Sequence, residues 1–132
     1  MTSLACDTSV LVAALLPWHD AHDESRATLA HVTHLPAQVL LETYSVLTRL
    51  PAPHRQAPAV VAEALAELHV EVVGLPDDAI AGLPRRLWVA GIAGGATYDG
   101  LIATTVVHHE IPLHSHDARA RRTYTRLGVD LV

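Results

Sequence analysis

Apolar residues recur along most of the chain at the three- and four-residue steps of amphipathic helices. The clearest case is AQVLLETYSVLTRL at residues 37–50, and TSVLVAALL at residues 8–16 predicts another helix, which ends before Pro17. Further helices are predicted over residues 19–32, 59–69, 77–92, 98–110 and 117–128. Gly82 and Pro84 predict an interruption within the helix that begins at residue 77.

Short apolar runs separate these helices and predict strands. They cover residues 3–6, 34–36, 70–75, 111–115 and 129–132. Strands that alternate with helices are typical of a parallel sheet with helices on both faces. We therefore expect an α/β fold with three α/β/α layers around a short parallel central sheet. The chain has no repeat and no long linker, so residues 1–132 are expected to form one domain, with AGG at 93–95 as a flexible link.

The composition excludes several kinds of chemistry. The 132 residues include no phenylalanine, and all nine basic residues are arginine. Because lysine is absent, neither a P-loop nucleotide site nor a Schiff-base enzyme is expected. A phosphoacceptor receiver domain is excluded on the same ground. The net charge of −5 disfavours broad electrostatic wrapping of nucleic acid, but it allows a nuclease that uses a metal and a local arginine cluster.

Cysteine content and hydropathy indicate a cytoplasmic protein without a membrane partner. Cys6 is the single cysteine, so an internal disulfide framework is excluded. The apolar run after Asp7 is too short to span a bilayer and follows no basic segment, unlike a signal peptide.

Four carboxylates occupy comparable places in this predicted fold. Asp7 and Asp117 each follow a predicted strand, Asp99 lies near the start of a helix, and Glu42 lies within one. Each aspartate taken alone is equally well explained as a helix N-cap, and Glu42 as a residue at the solvent boundary. In a parallel sheet, however, Asp7 and Asp117 emerge at the same edge, where Asp99 and Glu42 can reach them. Helix capping alone does not require four carboxylates to meet at one edge of the sheet.

Converging carboxylates predict a metal site. Two carboxylates about 4 Å apart repel by roughly 4 kcal/mol at an effective dielectric constant near 20, and a hard divalent cation removes this cost. A carboxylate site without cysteine favours Mg²⁺ or Mn²⁺ and suits metal-assisted phosphodiester hydrolysis. HHE at 108–110 and HSH at 114–116 suggest zinc more weakly, since a helix end and an exposed strand face also explain these histidines.

Four motifs resemble those of PIN-domain ribonucleases, and particularly of VapC-type toxins of bacterial toxin–antitoxin pairs. In chain order they are CDTSVLVAALL, LLETYSVLTRLP, GGATYDGLIATT and HSHDARARRTYTRLGV. The resemblance implies a catalytic quartet, which consists of Asp7, Glu42, Asp99 and Asp117. It implies Mg²⁺ or Mn²⁺ held by Asp7 and Asp99, with Asp117 nearby. It also implies support from Ser9 and from Ser115, where the family more usually has threonine.

The resemblance also implies a substrate and partners. Structured RNA, chiefly tRNA or rRNA, would be the substrate, and the protein would form a homodimer that a small antitoxin silences through the acidic site. In the last predicted helix, Arg119 and Arg122 share a face with Arg126 and are candidates for binding RNA phosphates, although a solvated face explains them equally well. The alternative function is a catalytically inactive PIN-like module that binds RNA or protein.

Overall fold

The computed structural model describes residues 2–132, and in these residues the chain forms four strands and seven helices. The strands are β1 (Ala5–Cys6), β2 (His34–Pro36), β3 (Glu71–Val73) and β4 (Leu113–His114). The helices are α1 (Thr8–Leu15), α2 (His22–Leu29), α3 (Ala37–Thr48), α4 (Pro58–Ala66), α5 (Asp77–Val89), α6 (Thr97–His108) and α7 (Ala118–Arg126).

All strand pairs are parallel, and the sheet order is β3-β2-β1-β4. Ala5 of β1 pairs with His34 of β2 on one side and with Leu113 of β4 on the other. The predicted α/β fold with helices around a short parallel sheet is confirmed. Because β1 and β4 are neighbours that run in the same direction, the residues that follow them meet at one edge of the sheet.

The core lies between the sheet and the helices α1, α3, α6 and α7. It is built mainly from Leu, Val, Ile and Ala, as expected for a chain without phenylalanine. Tyr124 of α7 and Leu11 of α1 are among its largest fully buried side chains. Full burial of an aliphatic side chain contributes about 1.5–3 kcal/mol, so this core stabilises the packing of these helices on the sheet.

The helix α5 corrects the prediction of an interruption. It is continuous from Asp77 to Val89 and includes both Gly82 and Pro84. A proline in a helix leaves the carbonyl four residues earlier, here that of Ile80, without its usual donor. Ile80 and Pro84 both lie on the exposed side of α5, where water can satisfy this carbonyl.

Other segments also differ from the predictions. The strand predicted at 129–132 is reduced to a single bridge between Leu113 and Leu131, although this segment still hydrogen bonds along β4. The predicted link at 93–95 forms part of a 3₁₀ turn over Gly94–Ala96. The predicted helix at 19–32 is shortened to α2. None of the helices within residues 2–132 is long and apolar enough to cross a membrane.

Gly100 allows α6 to pack closely on α5, beside Asp99. A Cβ atom at position 100 would lie 2.6 Å from Cδ2 of the buried Leu87. This is well inside van der Waals contact, so a larger residue after Asp99 would force the Leu87 side chain to shift.

Candidate active site

The four predicted carboxylates line one cavity of about 430 Å³ at the carboxyl end of the sheet. They are Asp7 after β1, Glu42 within α3, Asp99 in the first turn of α6, and Asp117 before α7. The structure therefore brings together side chains that are separated by up to 110 residues in the chain (117 minus 7). It places the two predicted serines, Ser9 and Ser115, directly against one of the carboxylates.

Asp7 is buried, only 2% exposed, and accepts four hydrogen bonds. Its Oδ1 accepts from the backbone N–H of Ser9 at 3.1 Å and from the Ser9 hydroxyl at 2.6 Å. Its Oδ2 accepts from the Ser115 hydroxyl at 2.5 Å and from the Tyr124 phenol at 2.8 Å. Asp7 is thus an N-cap of α1, and it is also fixed in one orientation by side chains from the far end of the chain.

Tyr124 is a site residue that the sequence analysis missed. Burial, together with the neighbouring negative charge of Asp7, raises the pKa of the Tyr124 phenol far above its usual range. The phenol therefore keeps its proton and acts as a donor to Asp7. Asp117, Ala120 and Tyr124 are separated by three and four residues, so they share one face of α7, and this spacing was the available signal.

Asp117 and Asp7 are joined through Ser115. The Ser115 hydroxyl accepts a hydrogen bond from the backbone N–H of Asp117 at 3.0 Å while it donates to Asp7. Asp117 in turn caps α7, because its Oδ1 accepts from the backbone N–H groups of Arg119 and Ala120. The N-cap explanation therefore holds for both aspartates, and the capping geometry itself brings them to the same cavity.

Glu42 is held by two donors that the sequence did not indicate. The Thr8 hydroxyl donates to Oε2 of Glu42 at 3.1 Å, and Nε2 of Gln38 donates to Oε1 at 2.7 Å. Gln38 lies one turn before Glu42 on α3, whereas Thr8 is the first residue of α1. These contacts fix the Glu42 carboxylate at the wall of the cavity.

Asp99 differs from the other three carboxylates because none of residues 2–132 donates a hydrogen bond to its side chain. It lies within the first turn of α6 and does not cap this helix. Burial, followed by the charges of Asp117, Glu42 and Asp7, raises the pKa of Asp99 to about 6. The charged form of Asp99 is therefore disfavoured where the four carboxylates converge.

The donor set of this cavity fits a hard divalent cation. In the part of the chain that the structure describes, no arginine lines the cavity, and the only salt bridge joins His34 to Glu71 elsewhere. The negative charges of the four carboxylates are therefore not balanced by arginine side chains. Carboxylate oxygens are the protein ligands that Mg²⁺ and Mn²⁺ prefer.

The predicted arginines lie beside this cavity rather than in it. Arg119, Arg122 and Arg126 are exposed and line an adjacent cavity of about 630 Å³ together with residues 91–93. Arg121 does not line this adjacent cavity, and its guanidinium lies 3.4 Å from the carbonyl oxygen of Ser115.

Both tryptophans are exposed. Trp18 is 52% exposed and Trp88 is 73% exposed, so neither belongs to the core. Trp18 stacks at 4.5 Å on His54, whereas Trp88 lies on α5. Two histidines, His19 and His116, line the acidic cavity.

Comparison with known proteins places this fold and cavity in a family. The PIN domain profile matches residues 4–125, and the chain therefore belongs to the PIN domain family. The resemblance to VapC-type members is confirmed by ribonuclease VapC40 of Mycobacterium tuberculosis, which is 42% identical over 129 residues that cover 97% of this chain and 96% of VapC40. Ribonuclease VapC27 of the same organism is 42% identical over 130 residues, which cover 98% of this chain and 95% of VapC27.

Solved structures show the same fold. The crystal structure of DNA-bound VapBC from Salmonella typhimurium matches this chain with a TM-score of 0.67 at 18% identity. The match covers 100% of this chain and 98% of the other.

Proposed function

We propose that this protein is a Mg²⁺-dependent endoribonuclease toxin that hydrolyses phosphodiester bonds in structured RNA, tRNA or rRNA. The observation that carries the proposal is the convergence of Asp7, Glu42, Asp99 and Asp117 in one cavity that no arginine lines. The names of VapC40 and VapC27 as ribonucleases support the same activity. Because Cys6 is the single cysteine and no disulfide is implied, we place this activity in the cytoplasm.

The residues of the site would have different roles in catalysis. Asp7, Asp99 and Asp117 would hold Mg²⁺, or Mn²⁺ in its place. When bound, the cation supplies a water of lowered pKa and stabilises the charge that develops on the phosphate. Ser9, Ser115 and Tyr124 donate hydrogen bonds to Asp7 and would keep it in position.

Glu42 has a separate role in this mechanism. Its two carboxylate oxygens are held by Thr8 and Gln38 at the cavity wall. A carboxylate fixed in this way can accept a hydrogen bond from the attacking water and orient it toward the phosphorus atom.

RNA is proposed to approach over the neighbouring basic cavity. Arg119 and Arg122 lie on the exposed face of α7 directly after Asp117, which caps the same helix. Guanidinium groups pair with phosphate oxygens in a bidentate manner, so these arginines would fix the backbone of the RNA beside the acidic cavity. The net charge of −5 disfavours RNA binding elsewhere on the protein, so RNA would bind mainly in this region.

A cognate antitoxin is the proposed protein partner. The negatively charged cavity can accept a basic side chain, and this would neutralise the carboxylates and exclude the cation. The Salmonella typhimurium neighbour was solved as DNA-bound VapBC, which is in keeping with such a partner.

A homodimer is proposed through the exposed apolar residues of α5 and the start of α6. Ile80 is 44% exposed, Trp88 73% and Tyr98 57%, and all three line an apolar cavity of about 630 Å³. Substitution Trp88→Glu should convert a dimer to a monomer in sedimentation velocity, whereas Trp18→Glu should not. An unchanged sedimentation coefficient for Trp88→Glu would contradict this interface.

A cleavage assay tests the proposed activity. The purified protein should cut total tRNA or rRNA with Mg²⁺ and lose activity with EDTA. Asp99→Asn should abolish cutting, whereas Asp130→Asn, which removes the same charge at an exposed site, should not. Retained cleavage in Asp99→Asn would overturn the site assignment. RNA binding without cleavage by the wild-type protein would instead support the alternative, an inactive binding module.

A further inference from the structure

A second group of metal-ligating side chains lies beside the acidic quartet but shares none of its members. It consists of Glu24 in the first turn of α2, His114 at the end of β4, and His116 just after β4. One ligand atom from each of these residues lies within 4.8 Å of the other two. The histidine rings of this cluster meet edge to face, with their centroids 5.2 Å apart.

His114 is in the state expected of a metal ligand. Its Nδ1 lies 2.8 Å from the main-chain oxygen of Val132, which can only accept, so Nδ1 carries the proton. Nε2 therefore carries a lone pair. This Nε2 is buried and has no hydrogen-bond partner in residues 2–132. A buried acceptor without a partner is costly, and a bound cation would remove this cost.

The other two residues complete the set. His116 is half-buried, and its Nε2 lies 3.0 Å from the Ser25 hydroxyl, which leaves the second ring nitrogen available. Glu24 is exposed, and none of residues 2–132 donates a hydrogen bond to it. Metal-bound histidines commonly make such an outer hydrogen bond through the ring nitrogen that does not bind the metal.

We propose that Glu24, His114 and His116 form a second metal site, which binds Zn²⁺. Two imidazoles and one carboxylate suit zinc, whereas Mg²⁺ prefers oxygen ligands alone. Ligand atoms of a tetrahedral zinc ion lie about 3.4 Å apart, and movement of the exposed Glu24 side chain can close the remaining gap. Three protein ligands leave a fourth position for water.

The site would join α2 to the segment that positions the acidic quartet. The backbone N–H of His116 donates to the Ser9 hydroxyl at 3.0 Å, and the adjacent Ser115 donates to Asp7. Zinc at this site would therefore fix residues 114–116, which orient Asp7. This inference does not rest on the proposed ribonuclease activity.

Zinc titration of the tag-free, EDTA-treated protein tests the proposal. Isothermal titration calorimetry in excess Mg²⁺, which keeps the acidic quartet occupied, should show one Zn²⁺ bound per chain, and bound Co²⁺ should give the visible absorption of a tetrahedral site. Glu24→Gln and His114→Gln should each weaken zinc binding by at least about tenfold. Asp23→Asn, which removes the same charge from the neighbouring position of α2, should bind like the wild type.

The acidic quartet provides the second control. Asp99→Asn should bind zinc with unchanged affinity, because Asp99 lies outside the cluster. Zinc binding that is lost in Asp99→Asn, or that persists in both Glu24→Gln and His114→Gln, would overturn the proposal. Absence of zinc binding by the folded wild-type protein would overturn it as well. Circular dichroism of each variant separates loss of a ligand from loss of fold.

Discussion

The phenol of Tyr124 donates a 2.8 Å hydrogen bond to Oδ2 of Asp7 across 117 residues of the chain. Tyr124 is fully buried and packs in the same core cluster as β1, the strand that leads to Asp7. One residue therefore fills the core and orients a carboxylate of the candidate site. We therefore expect stability and activity to be coupled at this position.

Tyr124→Phe should separate these two roles. The phenylalanine keeps the packing of the ring but removes one donor from Asp7, so we expect a loss of about 1–3 kcal/mol in the free energy of unfolding. RNA cleavage should fall as well, because Asp7 is held less firmly. Urea unfolding and a cleavage assay measure the two effects, with Tyr44→Phe, at a partly exposed ring, as the control. Equal stability of Tyr124→Phe and wild type would show that the hydrogen bond contributes nothing.

The edge of the sheet at which the site lies could be predicted from sequence because it follows from topology. Asp7 and Asp117 each follow a short apolar run, and parallel neighbouring strands bring the residues after them to the same edge. The serines two positions after Asp7 and two positions before Asp117 were indicated by resemblance to the PIN family. Their hydrogen bonds to Asp7 show what these serines do.

Contacts between distant helices could not be predicted in this way. Thr8 reaches Glu42 only because α1 packs against α3 at one angle, and sequence periodicity gives no such angle. Gln38, by contrast, lies one turn before Glu42 on the same helix. The proposed zinc site, formed by Glu24, His114 and His116, could not be predicted in full for the same reason. His114 and His116 share a strand face by alternation, whereas Glu24 comes from α2, 90 residues before His114 (114 minus 24). The continuity of α5 through Pro84 depends on solvent exposure, which local sequence rules do not include.

Asp99→Asn should stabilise the metal-free protein at neutral pH. The folded-state pKa of about 6 lies above the ordinary value of 3.8, so the folded state binds this proton more tightly than the unfolded state. The stability that Asp99 contributes is therefore present at low pH and is lost as pH rises toward 6. At pH 7 the asparagine variant avoids this loss.

Urea unfolding in EDTA at several pH values measures this effect. The advantage of Asp99→Asn over wild type should be largest above pH 6 and should disappear near pH 4, as the cited pKa values require. Asp130→Asn, at an exposed position, should show no such dependence. Mg²⁺ should stabilise the wild type more than Asp99→Asn. An advantage of Asp99→Asn that grows as the pH falls would contradict the sign of the shift.

Gly100→Ala should destabilise the protein and disturb the neighbouring Asp99. The added Cβ would lie 2.6 Å from Cδ2 of the buried Leu87, so the Leu87 side chain would have to shift. Overpacking of this kind costs about 1–3 kcal/mol. Gly82→Ala on α5 is the control, because a Cβ there has no atom within 4 Å. Thermal unfolding of both variants tests the prediction, and a Gly100→Ala protein as stable as Gly82→Ala would show that Leu87 can move aside.

Arg122→Ala should weaken RNA binding without weakening metal binding. Arg122 is exposed and lines the cavity beside the acidic quartet, but it is not in the quartet's own cavity. Loss of one phosphate contact should reduce RNA affinity and lower the slope of log affinity against log salt by about 1.

The measurement uses the Asp99→Asn background, which is expected not to cleave the RNA, at several salt concentrations. Mg²⁺ affinity is measured separately, in the Arg122→Ala single variant. Arg85→Ala provides the matched control, since Arg85 is exposed on α5 and lines neither cavity. If both arginine variants bind RNA with the same affinity and the same salt dependence, Arg122 belongs only to a solvated helix face.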